Sequence, residues 1–421
     1  MKFLHIADIH LGCTRYQLEE SPKDFFLAWY DALKKYAVDT QVDFVIIAGD
    51  FFHKRNVEPQ AMNHAMAGLE LLKRNNIPVV VIEGNHDQAG SGSAFSWLRS
   101  LSAWGLLKLL EPHVENGRMQ YEPWDESEKE GSFVDIGPAR IFGSKWYGAS
   151  ANVAIPMLTE GIKENRREGA FHILMLHTDV EGHQTHPLPS LSMASLKELK
   201  SVTDYVALGH THKMFDIDNW CFNPGSLEIT NIEEFKETRG VFLVEVDEKL
   251  EVNAEHLQNY RQRPFERIPF TVGADMTTEL VTEGVLKKVS GKTWDTDSAA
   301  HTGEPIVEIT LRGHLGFPNS LLEVQKIREE TQKMTGALHV RLKNHTVPVE
   351  YAVAADTEED ITREDLERRV VEDLIARDAR YKQDPTPVTD AIIGAKKMAL
   401  SDEEPEKIAD FIAAKIAGQS V

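Results

Sequence analysis

The 421-residue sequence contains only two cysteines, Cys13 and Cys221. Two cysteines cannot build a disulfide framework, and their scarcity fits a reducing cytosol. The sequence also lacks any long apolar run, of about eighteen residues or more, that would predict a membrane-spanning helix. Its first residues, MKFLHIA, lack the basic stretch and long apolar segment of a secretory signal peptide. We therefore expect a cytoplasmic protein with no membrane partner.

Basic residues are scarce as well, because 46 lysines and arginines face 67 aspartates and glutamates, a formal net charge of −21. A uniformly acidic surface would repel the phosphate backbone of a nucleic acid, which argues mildly against such a partner. Many of the acids, however, lie after Asp356. Bound divalent cations would also invert the local field of an acidic site. The charge balance therefore leaves a nucleic-acid substrate open.

The length exceeds that of one average domain, and 42% hydrophobic residues suffice for a packed core. Up to residue 247, short apolar runs alternate with amphipathic helical segments, which is typical of an α/β protein with buried strands. The predicted strands are 2–7, 44–48, 79–82, 140–142, 172–176, 205–208 and 241–246, and the predicted helices are 22–38 and 59–75.

After residue 247 the pattern changes, and we predict a smaller α+β domain over residues 250–350. Its predicted strands are 251–257, 305–312 and 338–342, and its predicted helices are 274–288 and 319–334. The basic, proline-containing stretch RQRPFERIPF is interpreted as a connector, and residues 384–389 as a proline-containing break. Residues 356–421 form a predicted helical tail that ends in a helix over 405–416. The narrow apolar stripe of the tail is compatible with packing on this chain or docking on a partner.

Five motifs place side chains that can bind metal ions directly after predicted strands. Each motif supplies aspartate, asparagine or histidine, and three of the five begin with glycine. The motifs are Asp8-Ile9-His10, Gly49-Asp50, Gly84-Asn85-His86-Asp87, His177 and Gly209-His210-Thr211-His212.

Because the carboxyl ends of parallel strands meet at one edge of a sheet, we expect these side chains to converge. Mixed imidazole and oxygen ligands suit Mn²⁺, Fe or Zn²⁺ better than Ca²⁺ or Mg²⁺. Asp50 lies on a strand between the other ligand-bearing loops, so it is the natural carboxylate to bridge two ions. Such a pair of ions polarises a phosphoryl oxygen and generates hydroxide near neutral pH. His86 stands beside Asn85, with Asp87 available to orient its ring.

The order D-x-H, GD, GNHD, H and GHxH resembles the calcineurin-like metallophosphoesterase superfamily. More narrowly, ADIHLG (7–12), GDFFH (49–53), GNHD (84–87) and GHTH (209–212) resemble the SbcD-type nuclease subunits of double-strand-break repair complexes. The resemblance is dense over residues 1–247, which it identifies as the nuclease domain. It implies an α/β fold, a four-layer αββα sandwich. A smaller α+β capping domain that binds DNA and a helical C-terminal tail would follow.

Carried over by position, the resemblance implies two metal sites that share one carboxylate. The first would comprise Asp8, His10, Asp50 and His212. The second would comprise Asp50, Asn85, His177 and His210. His86 would protonate the leaving oxygen or stabilise negative charge in the transition state, and His53 would help to place the substrate.

The resemblance further implies a Mn²⁺-dependent DNA nuclease with 3′ to 5′ exonuclease and single-strand endonuclease activities. It would act as a homodimer, associated with the nucleoid, beside an SMC-like ATPase whose coiled coil receives the tail. Five cations that flank the motifs could contact DNA phosphates or remain solvated. They are Arg15, Lys54, Arg55, Lys145 and Lys213.

Two alternatives stay open. The first is a small-molecule phosphodiesterase or protein phosphatase of the same superfamily. Protein phosphatases carry an arginine in a GD-x-x-D-R-G segment, where this chain has GDFFHKRN, and a compact phosphodiesterase would have little use for a second domain. The second is a scaffold subunit with an inactive site, which the complete set of ligand residues disfavours.

Overall fold

The structure, a computed structural model, describes residues 1–90, 93, 95–184, 189–292, 303–348, 363–376, 378, 380–381, 384–400, 403 and 405–416. The chain divides into two compact units. The first is Met1–Phe265 with Asp295–Glu304, and the second is Glu266–Trp294 with Pro305–Val421. The division therefore falls at Phe265, whereas the functional domains proposed from the sequence, 1–247, 250–350 and 356–421, stay a prediction. Residues 356–362 of the predicted tail lie outside the described residues.

The first unit is built on two six-stranded sheets and a small hairpin. Its strands are β1 (Lys2–Ile6), β2 (Phe44–Ala48), β3 (Val79–Ile82), β4 (Lys108–Leu109), β5 (His113–Glu115), β6 (Arg118–Gln120), β7 (Phe133–Ile136), β8 (Ala139–Phe142), β9 (Phe171–His177), β10 (Tyr205–Gly209), β11 (Met214–Ile217), β12 (Cys221–Pro224), β13 (Val241–Val246) and β14 (Val252–Leu257). Each strand predicted up to residue 247 is present, with its ends within one residue of the prediction. The short strands β4 to β7, and also β11 and β12, were missed, since too few consecutive apolar residues mark them.

Both sheets have a parallel centre. The first runs in the order β14-β13-β1-β2-β3-β4, with β1 to β4 parallel and β13 antiparallel to β1. The second runs in the order β11-β12-β10-β9-β8-β7, with β8, β9, β10 and β12 parallel. Parallel strands that are buried on both faces are nearly continuous apolar runs, and every residue of β2 (FVIIA) and β9 (FHILMLH) is buried, including His172 and His177 of β9.

The two sheets face each other, and helices cover their outer faces. Alternate residues of the first sheet, such as Phe44 and Ile46, pack against Ile173 and Tyr205 of the second in one core cluster. The intervening residues, such as Val45, pack outward on the helices Ser21–Leu33, Pro59–Arg74 and Trp97–Ala103. A third cluster joins the outer face of the second sheet to helices α4 and α5. The helices are α1 (Ser21–Leu33), α2 (Pro59–Arg74), α3 (Trp97–Ala103), α4 (Ala151–Glu164) and α5 (Met193–Glu198). The predicted four-layer αββα sandwich is confirmed.

The second unit contains a three-stranded sheet and helices. Its elements are β15 (Phe265–Val272), α6 (Thr278–Ser290), β16 (Ile306–Leu315), α7 (Val324–Thr335), β17 (His339–Pro348), α8 (Arg363–Ala376), α9 (Thr386–Leu400) and α10 (Pro405–Ile416). The sheet order is β15-β16-β17, with β16 parallel to β17. One cluster joins Val307, Ile309 and Leu311 of β16 to the apolar faces of α6 and α7.

Two predictions for this unit were wrong. RQRPFERIPF is not a plain connector, because β15 begins inside it at Phe265. The break predicted over 384–389 contains the start of α9, which begins at Thr386 with Pro387 in its first turn. Proline is favourable in the first turn of a helix, since its missing N–H would have no partner there. Among the described residues, no helix is long and apolar enough to cross a bilayer.

Candidate metal centre

The five motifs lie at one edge of the sandwich. Asp8 and His10 follow β1, Asp50 follows β2 and Asn85 follows β3, whereas His177 ends β9 and His210 follows β10. All of these strands belong to the parallel parts of the two sheets. The carboxyl ends of the strands therefore bring the motifs together, as expected for an α/β fold.

The side chains converge into two groups that share Asp50. In one group, ligand atoms of Asp8, His10, Asp50 and His212 all lie within 4.8 Å of one another. In the other, the same holds for Asp50, His177 and His210. Asp50 Oδ2 lies 3.7 Å from His10 Nε2 and 3.4 Å from His177 Nε2, so it stands between the two groups. Asn85 Oδ1 lies 3.2 Å from His177 Nε2, which adds an amide oxygen to the second group. We call these seven residues the histidine–carboxylate cluster.

Five members of this cluster have a left-handed backbone. The φ angles of Asp8, His10, Asp50, His210 and His212 are 53°, 52°, 52°, 89° and 57°. Each such residue costs on the order of 1 kcal/mol, and such strain concentrates at functional sites. The surrounding backbone bonds hold the strain in place, since the Asp8 N–H donates to Gly49 O (3.1 Å) and the His10 N–H to Asp50 O (3.0 Å).

Two glycines permit the close approach of the ligand loops. A Cβ at Gly84 would lie 2.1 Å from Asp50 Oδ1, and a Cβ at Gly49 would lie 2.3 Å from His177 Nδ1. Gly49 also has a φ of +89°, which favours glycine. The glycines of the GD and GNHD motifs are therefore required by space beside the ligands.

Hydrogen bonds orient two of the histidines so that Nε2 faces the cluster. The Nδ1–H of His177 donates to Ala48 O at 2.8 Å, and His212 Nδ1 lies 3.1 Å from Glu234 Oε1. A neutral imidazole that donates from one nitrogen offers the lone pair of the other to a metal ion. His10 Nε2 and His212 Nε2 lie only 2.8 Å apart. Neighbouring ligands of one ion, each with a bond of about 2.1 Å, are expected at about 3 Å from each other.

Burial and mutual charge shift the pKa of most members. Burial raises the pKa of Asp8 to about 6, against the opposing effect of His212 and His177. Burial also acts to raise the pKa of Asp50, but His177 and His10 outweigh it and hold this pKa well below its usual range. For His177, burial lowers the pKa, yet Asp50 and Asp8 dominate and raise it to about 9.

The pKa values of the other three histidines of the cluster also shift, one upward and two downward. Burial lowers the pKa of His212, but Glu234 and Asp8 outweigh it and raise the pKa to about 9. Burial and His212 lower the pKa of His10, and burial and His177 lower that of His210 to about 4. The raised pKa values of His177 and His212 come from carboxylates that face them. A divalent cation bound there would compete with protons for these imidazoles.

His86 and His53 lie beside the first group. The Nδ1–H of His86 donates to the carbonyl oxygen of His53 at 2.7 Å, which leaves Nε2 free of this bond. The two rings stack with centroids 5.4 Å apart, and His53 Nδ1 lies 3.4 Å from His10 Nδ1. Burial and His86 lower the pKa of His53 to about 4.

The expectation that Asp87 orients the ring of His86 was wrong. The Asp87 carboxylate is buried and accepts hydrogen bonds from the backbone N–H groups of Phe51 (3.1 Å), Phe52 (2.9 Å) and Gly84 (3.0 Å). Asp87 therefore ties the loop after β2 to the loop after β3, and the His53 carbonyl orients His86 instead. Burial and Asp50 raise the pKa of Asp87 to about 7, against these three bonds.

The flanking cations behave differently from one another. Arg15 is only 3% exposed and pairs with Asp24 and Glu228, so it is not available for phosphate contact. Lys54 and Lys145 are exposed, and Lys145 pairs with Glu111 at 2.8 Å. Arg55 donates to Asn85 O at 3.3 Å.

Sequence reasoning missed two carboxylates that contact the GHTH histidines. Glu234 Oε1 accepts from His212 Nδ1, and Asp179 Oδ2 lies 3.6 Å from His210 Nε2. The Thr211 hydroxyl donates to Asp179 Oδ1 at 2.9 Å. Asp179 lies two residues after His177, and Glu234 lies far from any predicted strand end, so neither acid belongs to one of the five motifs.

The donor set fits divalent cations. Two buried carboxylates, one amide oxygen and four imidazoles converge, and the Nε2 atoms of His10, His177 and His212 face other members of the cluster. Such mixed nitrogen and oxygen ligands suit first-row divalent metals. The prediction of a site for divalent metal ions at this edge is thereby supported.

Comparisons with known proteins agree with this geometry. The calcineurin-like phosphoesterase family matches residues 1–214. The chain is 30% identical over 242 residues to the DNA double-strand break repair protein Mre11 of Archaeoglobus fulgidus, covering 56% of this chain and 52% of that protein. It is 29% identical over 307 residues to Mre11 of Methanosarcina mazei, covering 69% and 45%. It is 26% identical over 364 residues to Mre11 of Sulfolobus acidocaldarius, covering 83% and 84%.

The chain thus spans about half the length of the first two of these relatives and most of the third. The family match covers the strands and loops that carry Asp8, Asp50, Asn85, His177 and His212. The resemblance inferred from the motifs is confirmed. The chain belongs to the calcineurin-like phosphoesterase family of metal-dependent phosphoesterases.

Proposed function

We propose that the protein is a Mn²⁺-dependent DNA nuclease with a two-metal site, active as a 3′ to 5′ exonuclease and a single-strand endonuclease. The observation that carries the proposal is the pair of ligand groups that meet at Asp50. One would hold the first ion through Asp8, His10, Asp50 and His212. The other would hold the second ion through Asp50, Asn85, His177 and His210.

Bound at these positions, two divalent cations would polarise a phosphoryl oxygen and lower the pKa of water. The protein's own residues would fix the reacting groups. Asp50 lies between both ligand groups. Its Oδ1 accepts a hydrogen bond from the backbone N–H of His86 at 3.0 Å, which places His86 at the rim of the site. Positioning and charge neutralisation supply most of the catalysis in phosphoryl transfer.

His86 is the proposed general acid. Its Nδ1–H is engaged by His53 O, so its Nε2 is the atom that can deliver a proton to the leaving oxygen or stabilise charge there. His53, stacked on His86, would place the substrate. Asp87 contributes by holding the two loops together, as a positioning residue.

DNA is the proposed substrate because the relatives with matching chains bear the name of a DNA double-strand break repair protein. Exposed Lys54 lies directly after His53, where a phosphate backbone could pass. We further propose that residues 250–350 act as a DNA-binding cap and 356–421 as the docking segment for an SMC-like ATPase. A homodimer in the cytoplasm, associated with the nucleoid, completes the proposal.

The test uses the full chain with Mn²⁺, end-labelled duplex DNA and, in parallel, bis-p-nitrophenyl phosphate. His86→Ala is expected to lose DNA hydrolysis by about 10²–10⁴-fold while it still binds Mn²⁺, since general acid catalysis contributes about that much. His113→Ala, a change of an exposed histidine on β5, is the matched control and should leave hydrolysis unchanged. Chelation by EDTA should abolish the wild-type reaction.

The outcomes separate the alternatives. Progressive shortening of the DNA supports the nuclease, and reconstitution with Mn²⁺, Fe²⁺, Zn²⁺ or Mg²⁺ ranks the metals. Cleavage of only the small diester, even with an ATPase partner added, would move the protein to the phosphodiesterases. Metal binding without any hydrolysis would favour the scaffold alternative.

A further inference from the structure

The Nε2 side of the His212 ring faces the first ligand group, and its Nδ1 side faces a carboxylate. His212 Nε2 lies 2.8 Å from His10 Nε2 and 4.0 Å from Asp8 Oδ1. His212 Nδ1 lies 3.1 Å from Glu234 Oε1. The ring therefore bridges the proposed metal site and Glu234.

Glu234 is itself held in one orientation. Its Oε1 accepts the hydroxyl of Thr230 at 2.5 Å, and its Oε2 accepts the backbone N–H of Thr230 at 3.0 Å. The guanidinium of Arg239 lies 3.9 Å from Oε2 and donates to the carbonyl oxygen of Glu234. Both carboxylate oxygens are thus hydrogen-bond acceptors, so the atom that faces His212 Nδ1 can only accept.

The segment that carries Glu234 is anchored to the loop after β1. The Arg15 guanidinium donates to Ile229 O at 2.6 Å and lies 3.3 Å from Glu228 Oε1. The backbone N–H of Ile232 donates to the Tyr16 hydroxyl at 2.8 Å. The same loop carries Asp8 and His10, so Glu234 and the first ligand group share one support.

We propose that Glu234 is a positioning residue that keeps the proton of His212 on Nδ1 and thereby presents the Nε2 lone pair to the first metal ion. A neutral histidine has one lone pair on its ring nitrogens, and the acceptor at one nitrogen decides where it lies. The inference rests on the proposed function, because it assigns an orienting group to one of the two proposed metal sites.

Asp179 lies near His210, but less closely than Glu234 lies to His212. Its Oδ2 lies 3.6 Å from His210 Nε2, beyond hydrogen-bond distance, and its other oxygen accepts from Thr211. Asp179 therefore does not fix the proton of His210 in the way that Glu234 fixes that of His212. Loss of Glu234 should affect the first metal site alone.

The experiment measures Mn²⁺ binding to the full chain by calorimetry and electron paramagnetic resonance for wild type, Glu234→Gln and Glu234→Ala. We expect one of two Mn²⁺ ions to bind about 10–100-fold more weakly, the usual cost of removing such a partner. The glutamine amide can turn its NH₂ toward Nδ1, which would demand the opposite tautomer with its proton on Nε2. Hydrolysis of bis-p-nitrophenyl phosphate should recover at high Mn²⁺.

Glu237→Gln is the matched control. Glu237 follows the same short 3-10 segment, and its carboxylate lies 3.6 Å from Lys213 Nζ. This variant should bind both ions as the wild type does. If Glu234 variants fail to fold, Thr230→Val should weaken the same ion to a smaller degree, because it removes the hydroxyl that donates to Glu234 and lies 3.5 Å from His212 Nδ1.

The outcomes distinguish the two proposals. A wild-type chain that binds two Mn²⁺ ions and hydrolyses the diester, with Glu234→Gln indistinguishable from it, overturns the role of Glu234 and leaves the nuclease proposal standing. Equal weakening of both ions, or an unchanged Thr230→Val where Glu234 variants do not fold, also overturns it. A wild-type chain that binds no divalent cation overturns the proposed function itself.

Discussion

The loop after β1 contributes to two buried polar clusters, in which different groups balance the charge of the buried carboxylates. Asp8 and His10 belong to the histidine–carboxylate cluster. Five residues further on, Arg15 belongs to an arginine–carboxylate cluster, formed by Arg15, Asp24, Glu228 and Arg263. There Arg15 Nη2 lies 2.9 Å from Asp24 Oδ2, and Arg263 Nη2 lies 2.6 Å from Asp24 Oδ1. Arg263 also donates its backbone N–H to Glu228 Oε2 at 2.7 Å.

The difference lies in the counter-charge. Two guanidinium groups, which stay charged at every accessible pH, balance two carboxylates in the arginine–carboxylate cluster. The histidine–carboxylate cluster offers only imidazoles, whose charge depends on their neighbours, and most of its members have a left-handed backbone. Within the described part of the chain, none of the four arginine–carboxylate residues has a positive φ. The arginine–carboxylate cluster is thus neutralised by its own permanent cations, whereas a divalent metal ion can supply the positive charge in the histidine–carboxylate cluster.

Asp50→Asn tests the histidine–carboxylate cluster and should have the largest effect. The change removes the carboxylate shared by both ligand groups, so both Mn²⁺ ions should be lost and hydrolysis should fall roughly 10³-fold or more. Calorimetry counts the bound ions, and circular dichroism checks that the variant folds. Two ions bound with wild-type affinity would contradict the assignment of Asp50.

Asp24→Asn tests the other cluster. It leaves two buried guanidinium groups without their shared carboxylate, which should lower the free energy of unfolding by about 3–5 kcal/mol. The folded fraction should still bind two Mn²⁺ ions. Urea denaturation measures the first quantity and calorimetry the second. Glu70→Gln, at an exposed pair with Arg74, should change stability by at most about 1 kcal/mol.

His5 is a further buried polar side chain, and its hydrogen-bond partners carry no charge. It lies between the sheets, where its ring bonds to the Tyr205 hydroxyl (3.0 Å) and Leu208 O (3.1 Å), and burial lowers its pKa to about 3. Below about pH 6.5 the His5 ring binds a proton in the unfolded chain, whereas in the folded chain it stays neutral until the pH approaches 3. Stability should therefore fall as pH falls from 6.5 towards 3, by up to roughly 3–5 kcal/mol.

The measurement is urea denaturation in EDTA at several pH values, for wild type and His5→Gln. The variant should be less stable at pH 7 but should lose less stability on acidification, because it lacks the titrating ring. Parallel pH profiles for the two proteins would show that other groups cause the acid sensitivity.

The smallest expected effect concerns exposed Lys54, which contrasts with buried Arg15. If Lys54 contacts a phosphate, Lys54→Gln should weaken DNA binding several-fold and reduce the slope of log affinity against log salt by about 1. Fluorescence anisotropy with duplex DNA at several salt concentrations measures both. An unchanged slope would place Lys54 away from the DNA.

The sequence predicted the sandwich well because its strands are unambiguous. Runs such as FVIIA and VVVI are apolar throughout and are flanked by Asp43 and Gly49 or by Pro78 and Glu83, so their ends could be placed within one residue. β15 was missed because Pro264 and the charges of Glu266 and Arg267 conceal a strand. α9 was missed because the prolines before Val388 suggested a break, although they mark the start of a helix.

The site was predictable where a ligand follows a strand. Asp8, Asp50 and His177 each stand at the carboxyl end of a parallel strand, which periodicity alone can locate. Glu234 lies in the short 3-10 helix Ile232–Lys236 and Asp179 lies two residues after β9, and only the folded chain brings them to the histidines. The role of Asp87 could not be read from its position next to His86, since its bonds go to the backbone of another loop.

His177 belongs to the second sheet, yet its Nδ1–H bonds to Ala48 of the first, and its Nε2 faces Asp50 of the first. An ion held between these residues would act as a removable crosslink between the two halves of the sandwich. Such a crosslink stabilises by mass action, by about 2.7 kcal/mol when the free ion is at one hundred times its dissociation constant. Resistance to proteolysis would then rise with the concentration of the divalent cation, independently of any catalytic turnover.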